Sequence, residues 1–169
     1  ASGADFAAEA SLLDAGAGSG VSITQVSSLS AGLQIVIQAG PALQANPAAL
    51  AAFQRAAALW TVRIADPITV TINANLVNLG SGSIIGQASS VVLETGYEEL
   101  RDALLTDAAD EADDAIVGFL PMPDQFTAWV PTGFTLSGGA VATKANFKAL
   151  GFPDLDDQFG VSDATIQFN

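Results

Sequence analysis

The sequence predicts an α+β fold: a mixed sheet with a long amphipathic helix and two or three shorter ones. Three observations carry this. Stretches rich in β-branched residues (VSITQV, LQIVIQA, PITVTINANLV, ATIQFN) stand before, between and after stretches of helical periodicity. Residues 47–64 place Leu50, Phe53, Ala57, Trp60 and Ile64 at alternating spacings of three and four, a single apolar stripe. Half of the 169 residues are hydrophobic and 14% are charged, which suits a buried core and not a disordered tail.

Each element follows from local chemistry. Residues 1–20 stand apart: Phe6, Leu12 and Leu13 lie among alanines and acids, and AGAGSG after them is a flexible hinge by composition. They are expected to form an arm that either frays or packs on a neighbouring subunit. Residues 21–169 are expected to form a single α+β domain, with truncation at its C-terminal strand left open. Asn46 suits the N-cap of the long helix and Pro47 its first turn, while Asp66-Pro67 marks the helix end. In residues 67–77, Ile68, Val70 and Ile72 are expected to face the core, with Thr69, Thr71 and Asn73 opposite.

LGSGSIIGQASS reads as a glycine-rich bend, a short strand and a loop. VVLETGYEELRDALLTDA reads as a second helix through Tyr97, Leu100 and Leu104. ADEADDAIVGFLP adds a short third helix stopped by Pro121, and residues 121–139, with Trp129, read as loop with some strand. VATKANFKALG is the last helix, with Gly151 at its C-terminal end. Trp60 is expected in the core and Trp129 to pack.

Charge and composition exclude whole classes of function. Eighteen acids against five bases give a net charge of −13, which repels phosphate backbones and anionic lipid heads. No apolar run approaches the roughly 20 residues of a membrane-spanning helix. Nucleic acid and a membrane span are therefore not expected. The chain has no cysteine and no histidine. That removes disulfides, a thiolate nucleophile, a Ser-His-Asp triad and a His-ligated metal centre. No catalytic residue is expected in this chain.

The remaining chemistry is carboxylate, lysine amine or a hard cation held by oxygen. Lys144 and Lys148 share a helix face four residues apart and are expected to be solvated. GSGS lacks the Lys-Ser/Thr of a phosphate loop and reads as a hairpin turn. The run TDAADEADD lacks the glycine of a calcium loop and reads as a solvated helix face. PDLDDQFGVSD comes closer: Asp154, Asp156 and Asp157 alternate in part and Gly160 permits a sharp turn, but the register misses the calcium-loop pattern by one. These three are the calcium candidates, against the bland reading of a solvated acidic loop. A start on Ala-Ser fits a mature end left by signal-peptide cleavage, so a secreted, extracellular protein is expected.

Several pieces taken in order carry a resemblance. They are AALAAFQRAAALWTVRIADPITVTINANL, LGSGSIIGQASS, a Y-x-x-L-R-x-A-L helix, TKANFKALGF and DATIQFN. Together they resemble the opening of secreted bacterial zincin-type metalloproteases of the PEP-CTERM-associated group, over most of residues 33–169. The resemblance implies the upper half of a zincin catalytic domain. In that family the strand similar to DATIQFN stands just ahead of an H-E-x-x-H helix, whose histidines hold zinc and whose glutamate activates water. No position here matches those ligands, so no catalytic or metal-binding residue carries over.

Two functional expectations result. In the first, the chain is an extracellular structural subunit without catalysis. It self-assembles into a homo-oligomer or filament through the arm (Phe6, Leu12, Leu13) and an open sheet beside the last strand (Ile166, Phe168). In the second, it is the N-terminal part of a secreted zinc metallopeptidase whose H-E-x-x-H segment lies beyond residue 169. Zinc enters only in the second; calcium is the cofactor open to the chain itself.

Overall fold

A computed structural model of the chain describes residues 22–27, 32–110, 114–125, 131–134 and 139–169. The arm with Phe6, Leu12 and Leu13, the glycine hinge and Trp129 lie outside the described residues. The elements run β1 (Ser22–Ser27), β2 (Gln34–Ala39), α1 (Pro41–Gln44), α2 (Pro47–Thr61), β3 (Thr69–Leu76), β4 (Gly86–Ser90), β5 (Val92–Gly96) and α3 (Tyr97–Asp107). After short 3₁₀ turns come β6 (Gly139–Thr143), α4 (Lys144–Ala149), α5 (Leu155–Phe159) and β7 (Ala164–Phe168). The fold is α+β with a mixed sheet, as the sequence predicts. Residues 21–169, expected as one domain, fall into two compact units: residues up to Val91 with Phe159–Asn169, and Val92–Gln158.

The first unit is a five-stranded sheet in the order β1-β2-β3-β7-β4. Strands β2, β3 and β7 run parallel, and the two outer strands, β1 and β4, run antiparallel to their neighbours. Helix α2 makes the crossover from β2 to β3. Its start is the one predicted: Asn46 Oδ1 accepts the Ala49 N–H at 3.1 Å and Pro47 holds the first helical position. Ile35, Ile37 and Ala39 of β2 lie opposite Val70, Ile72 and Ala74 of β3. Ile35, Ile37, Ala39 and Ala74 with Leu33, Leu43 and Ala57 form the buried core, and Phe53, Ile68, Val70 and Ile72 pack against it. The alternation therefore sends Thr69, Thr71 and Asn73 to the other face, as read from the sequence.

Two details of this unit depart from expectation. Trp60 is 58% exposed rather than buried. In the last turn of α2 the inward position belongs to Thr61, which is buried and donates its hydroxyl to the Ala58 carbonyl at 3.2 Å. Trp60, one position earlier, is turned to the flank. The GSGS segment is also no hairpin turn. β3 and β4 follow each other in sequence, yet β7 lies between them in the sheet, so the connection must be wide. Gly80 takes a left-handed φ of +78° within it, and its N–H is held by Asn78 Oδ1 at 2.8 Å.

In the second unit, β5 and β6 pair antiparallel. The sequence reading places β5, and β6 from Val141 on, in the first turns of helices. Val92–Gly96 and Gly139–Thr143 pair as strands instead, because short β-branched stretches satisfy a ladder well, and helix begins only beyond them. Thr143 then caps α4 by accepting the Asn146 N–H at 3.2 Å, and Gly151 follows the helix at φ +79°, as predicted for its end. Tyr97 donates its hydroxyl to the Pro121 carbonyl at 2.8 Å, tying α3 to the segment between two of the 3₁₀ turns. No helix of the described residues is long and apolar enough to cross a membrane.

Candidate functional site

The part of the first unit that invites function is the β7–β4 end of the sheet. Asp163, just before β7, is 2% exposed. Its carboxylate Oδ2 accepts the Thr71 N–H at 2.7 Å and its own N–H donates to the Thr71 carbonyl at 2.8 Å. Its carbonyl accepts the Val91 N–H at 2.8 Å. One buried residue, through its carboxylate and its backbone together, thus joins β3, the entry to β7 and the exit from β4. A charged acceptor on a buried amide is among the stronger hydrogen bonds of a fold. Beside it, Asn73 donates to Ser162 Oγ at 3.0 Å.

The other end of β7 is held equally. The Asn169 N–H donates to the Ile85 carbonyl at 3.1 Å, and its side-chain amide donates to the Ser81 carbonyl at 3.0 Å. β7 is therefore an inner strand, paired on both sides. The open edge expected beside it does not exist, because β4 returns from earlier in the sequence to cover it. The edge is β4 itself, which has no further strand on its outer side among the described residues. Gln87, Ala88, Ser89 and Ser90 along it are short or polar, and all are exposed.

Ile166 and Phe168, expected as assembly residues, lie on the α2 face of β7. Ile166 is half-buried, and Phe168 is 43% exposed with its ring edge-on to Phe53 at 5.6 Å between centroids. Helix α2 covers β1 and β2. At β7 it reaches as far as Phe53, whose ring meets that of Phe168.

The second unit holds an ion cluster that sequence spacing concealed. Lys144 has no exposed side-chain surface, and its Nζ meets Asp156 Oδ1 at 2.9 Å. Lys148 Nζ meets the same oxygen at 2.7 Å. The expectation of two solvated lysines fails: α5, unforeseen in the sequence, brings Asp156 to the lysine face of α4. Burial pushes the Asp156 carboxyl up, but the hydrogen bonds and charges of Lys148 and Lys144 outweigh it and hold the group below its ordinary value. Of the calcium candidates, Asp156 thus has one oxygen bonded to two ammonium groups, Asp157 is exposed, and Asp154 adopts a left-handed φ of +57° ahead of α5. No group of three or more acids gathers to hold a cation among the described residues.

Comparison with known proteins adds no relative: no protein-family model, no curated protein and no solved structure matches the chain. Function has to be read from the geometry. A zinc centre of the zincin type does not fit the residues present, since the chain has neither imidazole nor thiol and no acidic cluster stands in for them among the described residues. Sequence reasoning missed the two structural carboxylates, Asp156 and Asp163. An acid directly before a strand was visible for Asp163, but its partner Thr71 lies ninety-two residues away.

Proposed function

We propose that this chain supplies the peptide-presenting half of a secreted zincin-type metallopeptidase, with the zinc-binding helix contributed by residues that follow β7. The observation that supports it is the placement of β7 between parallel β3 and the antiparallel edge strand β4. An edge strand with exposed, short side chains can accept an extended peptide as an added strand, its backbone supplying the hydrogen bonds. A helix continuing from β7 would meet the α2 face beside Ile166 and Phe168, where Phe168 already stands edge-on to Phe53 of α2. The described residues contribute binding and positioning; no chemical step is assigned to them.

Reading the coding DNA past the codon for Asn169 tests this. An H-E-x-x-H segment soon after it, with zinc-dependent peptide hydrolysis by the longer protein, supports the reading. A stop codon, or a continuation without that motif, removes it.

A second reading, self-association, is favoured by a different feature. Leu59, Trp60 and Val62, at and just past the end of α2, are each more than half exposed, and exposed apolar surface is where association sites form. Removing residues 1–20 should abolish oligomers in sedimentation if the arm takes part; unchanged oligomers would eliminate that role.

A further inference from the structure

The face of the sheet turned away from α2 carries rows of uncharged amide and hydroxyl side chains. Register places Gln38, Asn73, Thr165 and Ser89 in one row across β2, β3, β7 and β4. Asn75, Gln167 and Gln87 form the next row across β3, β7 and β4. Two shallow depressions lie on these rows, one of about 230 Å³ over β4 and β7 and one of about 260 Å³ over β2, β3 and β7. Both are bounded by Thr165 and Gln167, so they adjoin as one trough running across the strands. Every side chain lining it is an amide, a hydroxyl or no larger than alanine, and none is charged.

The amides are oriented. Gln87 donates to Gln167 Oε1 at 2.5 Å, and Asn75 Oδ1 accepts the Leu43 N–H at 3.2 Å. An amide side chain has two N–H donors and two lone pairs, and a hydroxyl has one donor and two lone pairs. Neighbouring strands repeat these groups at about 4.8 Å across the sheet.

The ligand class follows from what such a surface can satisfy. An apolar partner would bury the amides without hydrogen bonds, at a cost for each. Polyanions are repelled by the net charge of −13, and a cation finds no carboxylate in the trough. A peptide would satisfy its backbone at the edge of β4 rather than across side chains in the middle of the sheet. What matches is a neutral chain whose own groups both donate and accept at short, regular intervals. We propose that the trough binds a neutral, linear polysaccharide through its hydroxyl groups. This rests on side-chain chemistry alone and stands apart from the peptidase reading.

Affinity electrophoresis tests it, with hydroxyethyl cellulose, galactomannan or amylose cast in the gel and carboxymethyl cellulose as the anionic counterpart. At least one neutral polymer should retard the chain and the carboxymethylated one should not. The double substitution Gln38→Ala/Gln167→Ala should weaken retardation about tenfold, roughly the loss of one or two hydrogen bonds, with circular dichroism and melting temperature unchanged. If that variant does not fold, the exposed Gln87→Ser takes its place and should weaken retardation in the same direction. The proposal is overturned if no neutral polymer retards the chain, if the carboxymethylated polymer does so equally, or if a folded variant binds as the parent does.

Discussion

The two units of this molecule are stabilised by different physics. Among the described residues, the first buries seven hydrophobic side chains between its sheet and α2, and the second buries two, Phe147 and Leu155. In the second, Phe147 meets Phe152 edge-on at 4.9 Å between centroids, α3 buries none of its residues, and a lysine with no exposed surface sits against Asp156. Apolar burial is indifferent to pH and strengthened by excluded salts. A buried ammonium depends on a carboxylate staying ionised. The comparison teaches that one chain can hold neighbouring regions to different solution conditions.

The largest break in that contrast should come from the apolar side. Leu43, fully buried beneath α2, is expected to cost about 3–4 kcal/mol on replacement by alanine. Hydrogen exchange read by mass spectrometry should show the loss in peptides of the first unit, at neutral and at mildly acid pH alike. Asp156→Ala is expected to cost about 3 kcal/mol, near the low end for a broken buried pair because the carboxylate reaches solvent on one side. Its loss should appear in peptides of the second unit.

Acid sharpens the distinction. The Asp156 carboxyl is held below its ordinary value when folded. Its contribution is therefore present above the unfolded value of about 3.9 and lost as pH falls through the folded one. The gap in stability between the parent and Asp156→Asn should narrow below about pH 4, while the gap to Leu43→Ala should not follow it. Thermal melts across that range decide the matter.

A smaller effect is expected at Asp163→Ala, about 2 kcal/mol, because the buried Thr71 amide loses its charged acceptor. The smallest belongs to Gly40. A Cβ there would meet the Asn75 side chain at 2.4 Å, so Gly40→Ala must displace the amide that receives the Leu43 N–H. About 1–2 kcal/mol is expected from such overpacking, measurable by urea denaturation.

The apolar unit was also the legible one. The stripe from Leu50 to Ala57, the Asn46 cap, and the alternation in β3 are local patterns, and each took the form that its periodicity dictates. What escaped depends on chain segments meeting from afar. β5 and β6 are strands because each has the other to pair with, a fact no window of sequence contains. Lys144 reads as solvated until α5 delivers Asp156 to it. Trp60 reads as core because a stripe drawn at fixed spacing ignores the rotation of about 100° by which Thr61, the next residue, claims the inner position. The β7–β4 edge was misread for the same reason: a terminal-looking strand was assumed to lie at the border of the sheet, although strand order is set by pairing and not by sequence.

The position of β7 also sets a timetable. β4 is made first, yet its sheet partner is β7, which emerges from the ribosome only after the whole Val92–Gln158 excursion has been synthesised. Until then β4 has no neighbour on either flank of the growing layer, and β3 keeps one side bare. Loop closure over so long a separation slows the final step. The nascent chain must therefore carry an incomplete sheet until β7 is made, a window in which a chaperone, or a stray strand from elsewhere, would find it receptive.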